Sequence, residues 1–175
     1  MDQIDIDLNP VIHITTDAIG APGNRIFYLQ GWTDDRTVTL LIEKFQVQSL
    51  AVGVEQFLTE IREKFPELPQ SSSEFDEEKM HITPPVEPLF RVGELGLGYE
   101  AESDLIVLVA REAQPEESED AEGSVARFWC TRSQLRALSR WGIEVASRGR
   151  PLCPQCRQPM DPEGHFCSKK NGHKR

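Results

Sequence analysis

The 175-residue chain has no apolar run near the roughly 20 residues a bilayer crossing needs. Its first residues, Met-Asp-Gln-Ile-Asp-Ile-Asp, lack the basic and apolar regions of an export signal. A cytoplasmic location, away from membranes, is therefore expected. The sequence has no glycine-rich phosphate loop, nucleophile elbow or His-Glu-x-x-His zinc-protease motif. The acidic run 116–122 lacks the glycine spacing of a calcium loop. No residue is assigned a catalytic role. Cysteine is scarce, with four in all, yet three fall within the last 23 residues.

Charge is unevenly spread. The net charge of −10 divides into a tail, Arg148 to Arg175, with seven basic and two acidic residues, and an acidic remainder. Phosphates would be repelled by that acidic body, so nucleic-acid binding is disfavoured. The basic tail can fold against the body without any partner.

Alternation of apolar and polar residues predicts strands at 11–16, 25–30 and 37–43. Gly20-Ala-Pro-Gly23-Asn24 supplies the turn between the first two. Val47, Leu50, Ala51, Val54, Phe57, Leu58, Ile61 and Phe65 recur every three or four residues, the mark of a helix. Pro66 ends it. Residues 67–88, rich in Ser, Pro and acids, read as an irregular, partly mobile linker. The order then repeats: strands at 90–100, 104–112 and 124–130, then a helix opened by the capping box Thr131-Arg-Ser-Gln134. The helix starts Gln46-Val-Gln48-Ser49-Leu50 and Ser133-Gln134-Leu135 resemble each other.

The expected fold is α+β, a mostly antiparallel sheet of about six strands with two helices. It forms a body over 1–148, with halves 10–66 and 89–148 as a possible duplicated β3α unit. Chance recurrence of the pattern is the alternative.

Residues 149–175 read as a zinc-binding tail. Cys153-Pro-Gln-Cys156 is a knuckle whose two sulfurs can converge on one ion. Asp161-Pro-Glu-Gly164 forms a turn that returns the chain. His165 and Cys167 share a parity, so both can face the metal from an extended segment. Cys153, Cys156, His165 and Cys167 make a closed, structural Cys₃His site for Zn²⁺, with His173 as the alternative fourth ligand. A redox Cys-x-x-Cys would need a helix after the pair, which Pro159 and the turn oppose. Cys130 reads as a small buried hydrophobe, and His13 and His81 as surface residues.

The chain resembles a family of bacterial proteins of unknown function found in actinobacteria and chloroflexi. The resemblance rests on Gly20-Ala-Pro-Gly23-Asn-Arg25-Ile-Phe27-Tyr-Leu29-Gln30, Glu43-Lys44 with Gln46-Val47, and Phe90-Arg-Val-Gly93. Above all it rests on Gly149-Arg-Pro-Leu-Cys153-Pro-Gln-Cys156 with Asp161-Pro-Glu-Gly-His165-Phe-Cys167 and Asn171-Gly172. It implies a pathway shared with histidine-phosphatase-like and kinase-like proteins, and no catalytic residues. Two functions follow as expectations. One is a zinc-binding accessory or adaptor protein with a protein partner. The other is an enzyme, or enzyme subunit, acting on a phosphorylated small molecule.

Overall fold

The computed structural model describes residues 3–21, 23–114 and 123–148. Seven strands are β1 (Asp5–Leu8), β2 (His13–Ile19), β3 (Ile26–Trp32), β4 (Thr37–Ile42), β5 (Pro88–Glu100), β6 (Leu105–Glu112) and β7 (Val125–Cys130). Two helices are α1 (Lys44–Lys64) and α2 (Arg132–Ser147). The fold is thus α+β, as expected. The sheet corrects the rest: it has seven strands in the order β1-β7-β6-β5-β4-β3-β2 and is mixed, not mostly antiparallel. Strands β1–β7 and β4–β5 pair in parallel. The meanders β2-β3-β4 and β5-β6-β7 pair antiparallel.

The strand absent from the sequence expectation is β1. Asp-Ile-Asp-Leu is too short and acidic to stand out. It forms because β7 offers it a ladder, from Asp5 opposite Val125 to Leu8 opposite Phe128. Arg127 then lies beside two β1 carboxylates, 2.6 Å from Asp5 and 3.7 Å from Asp7.

The sheet's two outermost strands, β1 and β2, are consecutive in the chain. Only residues 9–12 separate them, which span at most about 18 Å. Laid flat, seven strands would hold those edges about 29 Å apart. The sheet must therefore roll. The backbone N–H of Val11 donates to Trp129 of β7 at 2.9 Å, and that of Ile12 to Trp32 of β3 at 2.8 Å. Neighbouring residues thus hand the chain from one side of the sheet to the other. Across the rolled interior, a Cβ added to Gly31 would lie 2.7 Å from a ring carbon of Phe128. These two residues lie on β3 and β7, four positions apart in strand order.

Both helices open in the same way. Gln46 Oε1 accepts the N–H of Glu43 at 2.8 Å, while its Nε2 donates to Val92 of β5 at 3.0 Å. Gln134 Oε1 accepts the N–H of Thr131 at 2.8 Å, while its Nε2 donates to Ile12 at 3.0 Å. In each case one amide closes a capping box and ties the helix to a backbone carbonyl of the other half, Val92 on β5 or Ile12 in the link before β2. The apolar stripes of both helices meet within one core, with Val54, Leu135 and Trp141 fully buried.

Residues 67–88 form a strap, not a loose connector. It contains a single 3₁₀ turn, Glu77–Met80. Arg132 and Arg136 of α2 donate to Pro69 and Ser71 carbonyls, at 2.8 and 2.9 Å. The Thr15 hydroxyl donates to the Met80 carbonyl. Gln30 bonds Thr83 in both directions, at 2.8 and 3.1 Å. Met80 is buried in the core. Side chains distant in sequence hold this segment, which is why its own composition reads as irregular.

Candidate functional site

Cys153, Cys156, His165, Cys167 and His173 all lie outside the described residues. Among the described residues, no three or more His, Cys, Asp or Glu are grouped to hold a metal. Cys130 cannot supply a thiolate to the tail. It is fully buried, its Sγ contacts the Phe128 carbonyl at 3.5 Å, and burial pushes its thiol up to about 12. The three thiolates of any Cys₃His set can therefore come only from the tail, and thiolate and imidazole donors suit Zn²⁺.

The described residues do show the tail's point of departure. Arg148 follows α2, and its guanidinium lies 5.0 Å over the Trp141 ring. Arg148 Nη2 is 2.8 Å from Glu77 of the strap and 3.6 Å from Glu144. The bond to Glu77 raises the Arg148 pKa and lowers that of Glu77. Trp141 is fully buried, and its indole N–H donates to the Thr16 carbonyl at 2.7 Å.

His81 stands edge-on to the same indole, with ring centroids 5.3 Å apart. Its Nδ1 is 3.0 Å from Asp17 Oδ2, which also accepts the N–H of Ile82 at 3.2 Å. A carboxylate can only accept, so Nδ1 is the donor in this contact, and the bond sets the ring's orientation. His81 is a surface residue, 52% exposed at its side chain, but its orientation is set.

Arg25 completes the cluster. Its Nη2 donates to the Val145 carbonyl in the last turn of α2 at 2.8 Å, and its guanidinium lies 5.0 Å over Phe27. Burial lowers its pKa, and nearby Asp17 opposes that shift. The turn before it depends on glycine. Gly20 has φ 122° and Gly23 φ 84°, and a Cβ on Gly20 would meet Asn24 O at 2.7 Å. The glycine motif in the sequence thus places one arginine against the end of α2. Sequence reasoning named the turn but not the site residues Asp17, Arg25, Trp141 and Arg148; the motif's final arginine was the available signal.

A second feature lies on the helices. Phe45 and Val52 of α1 and Ile143 of α2 are 65%, 60% and 46% exposed. Residues 45 and 52 are seven apart and so share a helix face. A groove of about 400 Å³ runs between α1 and β5, past Phe45, Leu95 and Leu97. Another of about 410 Å³ runs between α1 and α2, past Val52 and Ile143. A Cβ on Gly53 or Gly96 would meet nothing within 4 Å, so these glycines leave open floor in the first groove. The apolar residues off the buried stripe were the sequence signal for this face.

A further cavity, of about 680 Å³, lies at the β5-β6-β7 end, bordered by Gln114 and Gly123. Its charged lining includes Arg111, Arg127, Asp5, Glu94 and Glu112. Arg127 is committed to Asp5, and Glu112 accepts the N–H of Ser124 at 2.9 Å.

A family model described as "Protein of unknown function (DUF3090)" matches residues 7–167. No curated protein and no solved structure matches the chain.

Proposed function

The chain belongs to the DUF3090 family of proteins of unknown function, and from that premise we propose that it is a zinc-binding accessory protein, an adaptor of the bacterial cytoplasm. The observation that carries the adaptor reading is the exposed apolar face of Phe45, Val52 and Ile143, with a groove on either side of α1. Exposed apolar side chains gathered beside grooves mark interaction surfaces more often than singly scattered ones do. The occupant is a protein partner presenting its own apolar surface. The resemblance noted above directs the search to histidine-phosphatase-like and kinase-like proteins.

In this reading the chain has a body, 1–148, and a tail, 149–175. Halves 10–66 and 89–148 are a duplicated β3α unit joined by the strap, which the matched glutamine ties support. The tail holds structural Zn²⁺ through Cys153, Cys156, Cys167 and His165, with His173 as the alternative to His165. Three thiolates and one imidazole leave the site at −1, which neighbouring Arg150, Arg157, Lys169 and Lys170 offset.

Two measurements on the purified full chain test this. Metal analysis after growth in zinc-replete medium should find one zinc per chain, lost in the Cys153→Ser, Cys156→Ser double variant. Phe45→Glu with Val52→Glu should abolish binding to purified candidate partners while zinc is retained. Absence of zinc refutes the metal reading, and unchanged binding refutes the docking face.

The Asp17–His81 pair favours a second reading, an enzyme or subunit acting on a phosphorylated small molecule. An imidazole oriented by a carboxylate is equipped to move a proton. His81→Asn would then abolish turnover of such substrates without loss of stability.

A further inference from the structure

We propose that the strap, residues 67–88, is a clasp opened by mild acid, with His13 as its latch. His13 opens β2 opposite Trp32, and the two ring centroids are 4.9 Å apart. The sequence places His13 at the surface; the residue is half-buried, with Glu74, Asp76 and Lys79 of the strap lining the cavity beside it. Its Nε2 is buried and has no hydrogen-bond partner among the described residues. The neutral ring suits this place, because a proton on Nε2 would have no acceptor among the described residues.

The groups around the ring decide the sign. The strap contributes Glu74, Asp76 and Lys79 to a cavity of about 240 Å³ beside His13, and α2 contributes the uncharged Ser133, Gln134 and Ala137. The facing residue of β3 is Trp32, also uncharged. Burial is the largest influence and holds the His13 pKa below 6.5; a Lys79 backbone bond raises it and the Lys79 charge lowers it again. With the strap open, the ring is hydrated and regains its ordinary value of 6.5. Above that pH both forms are neutral at His13, and pH has no effect. Below it the open form binds the proton first, so closure weakens until the pH reaches the lowered value. One proton changes the closed-to-open ratio by up to about tenfold per pH unit within that window. Opening would expose the places of Met80, which is buried in the core, and of Phe75, which lies edge-on to Trp141 at 5.7 Å.

The test is amide hydrogen exchange of the full chain between pH 8 and pH 5, corrected for intrinsic rates. Peptides from 67–88 should lose protection below pH 6.5, while β6 and β7 do not. His13→Gln should remove this acid response. His81→Asn, which alters the strap's own imidazole at its tie to Asp17, should retain it. A flat strap profile, a response that survives in His13→Gln, or one that vanishes in His81→Asn overturns the proposal. Should His13→Gln fail to fold, an NMR titration of the wild-type His13 ring decides. A midpoint below 6.5 supports the latch, and one at or above 6.5 overturns it.

Discussion

Replacing Gly31 with alanine tests whether the sheet is rolled. On an ordinary strand, Gly→Ala gains about 0.4–1 kcal/mol by restricting the unfolded chain. Gly31 does not have a positive φ, so alanine brings no backbone strain. The new methyl, however, would lie 2.7 and 2.9 Å from two ring carbons of Phe128, a side chain with no solvent exposure. Ordinary contact begins near 3.4 Å, so the ring must retreat through a filled core. Overpacking of this kind costs about 1–3 kcal/mol. After the entropic gain, a net loss of about 1–2 kcal/mol is expected, a fall of several degrees in Tm. Urea melts of Gly31→Ala, Phe128→Leu and the double variant measure it. The smaller, more flexible leucine should absorb the methyl, giving a coupling of about 1 kcal/mol. Contact between Gly31 and Phe128 requires β3 and β7 to face each other across the interior. A neutral or stabilising Gly31→Ala, with no coupling to position 128, would refute that closure.

Gln46→Ala should cost about 1–3 kcal/mol in denaturant melts, because it strips a capping bond and orphans the buried Val92 carbonyl; Gln134→Ala, whose bonds are exposed, should cost only about 0.5–1.5 kcal/mol. Trp141→Phe should cost about 1–2 kcal/mol through the bond lost at Thr16, read by thermal unfolding. Cys130, with its thiol pushed up to about 12, should resist alkylation at pH 8 in the folded chain and react only after denaturation; peptide mapping by mass spectrometry separates it from the tail cysteines.

The strands and helices that alternate cleanly were legible because their signal is local. Thr37–Ile42 shows its period of two, and Lys44–Lys64 its apolar stripe. The ring was not legible. It depends on Asp5–Leu8, whose four residues carry little pattern and whose partner lies about 120 positions away. The strap was read as loose for the same reason: its anchors are Thr15, Gln30, Arg132 and Arg136, all remote in sequence. His13 looked like a surface residue because alternation reports which side of a strand it faces, not whether a later segment covers that side. At the candidate site, the glycine motif was visible, but its purpose needed the end of α2, 120 residues on from Arg25.

The two glutamine ties cross between halves. Gln46 reaches forward to Val92, and Gln134 reaches back to Ile12. Neither half therefore satisfies itself: each offers a donor to its counterpart and needs one in return. Cleavage within 67–88 would leave two pieces with reciprocal demands, suited to fragment complementation without any covalent link.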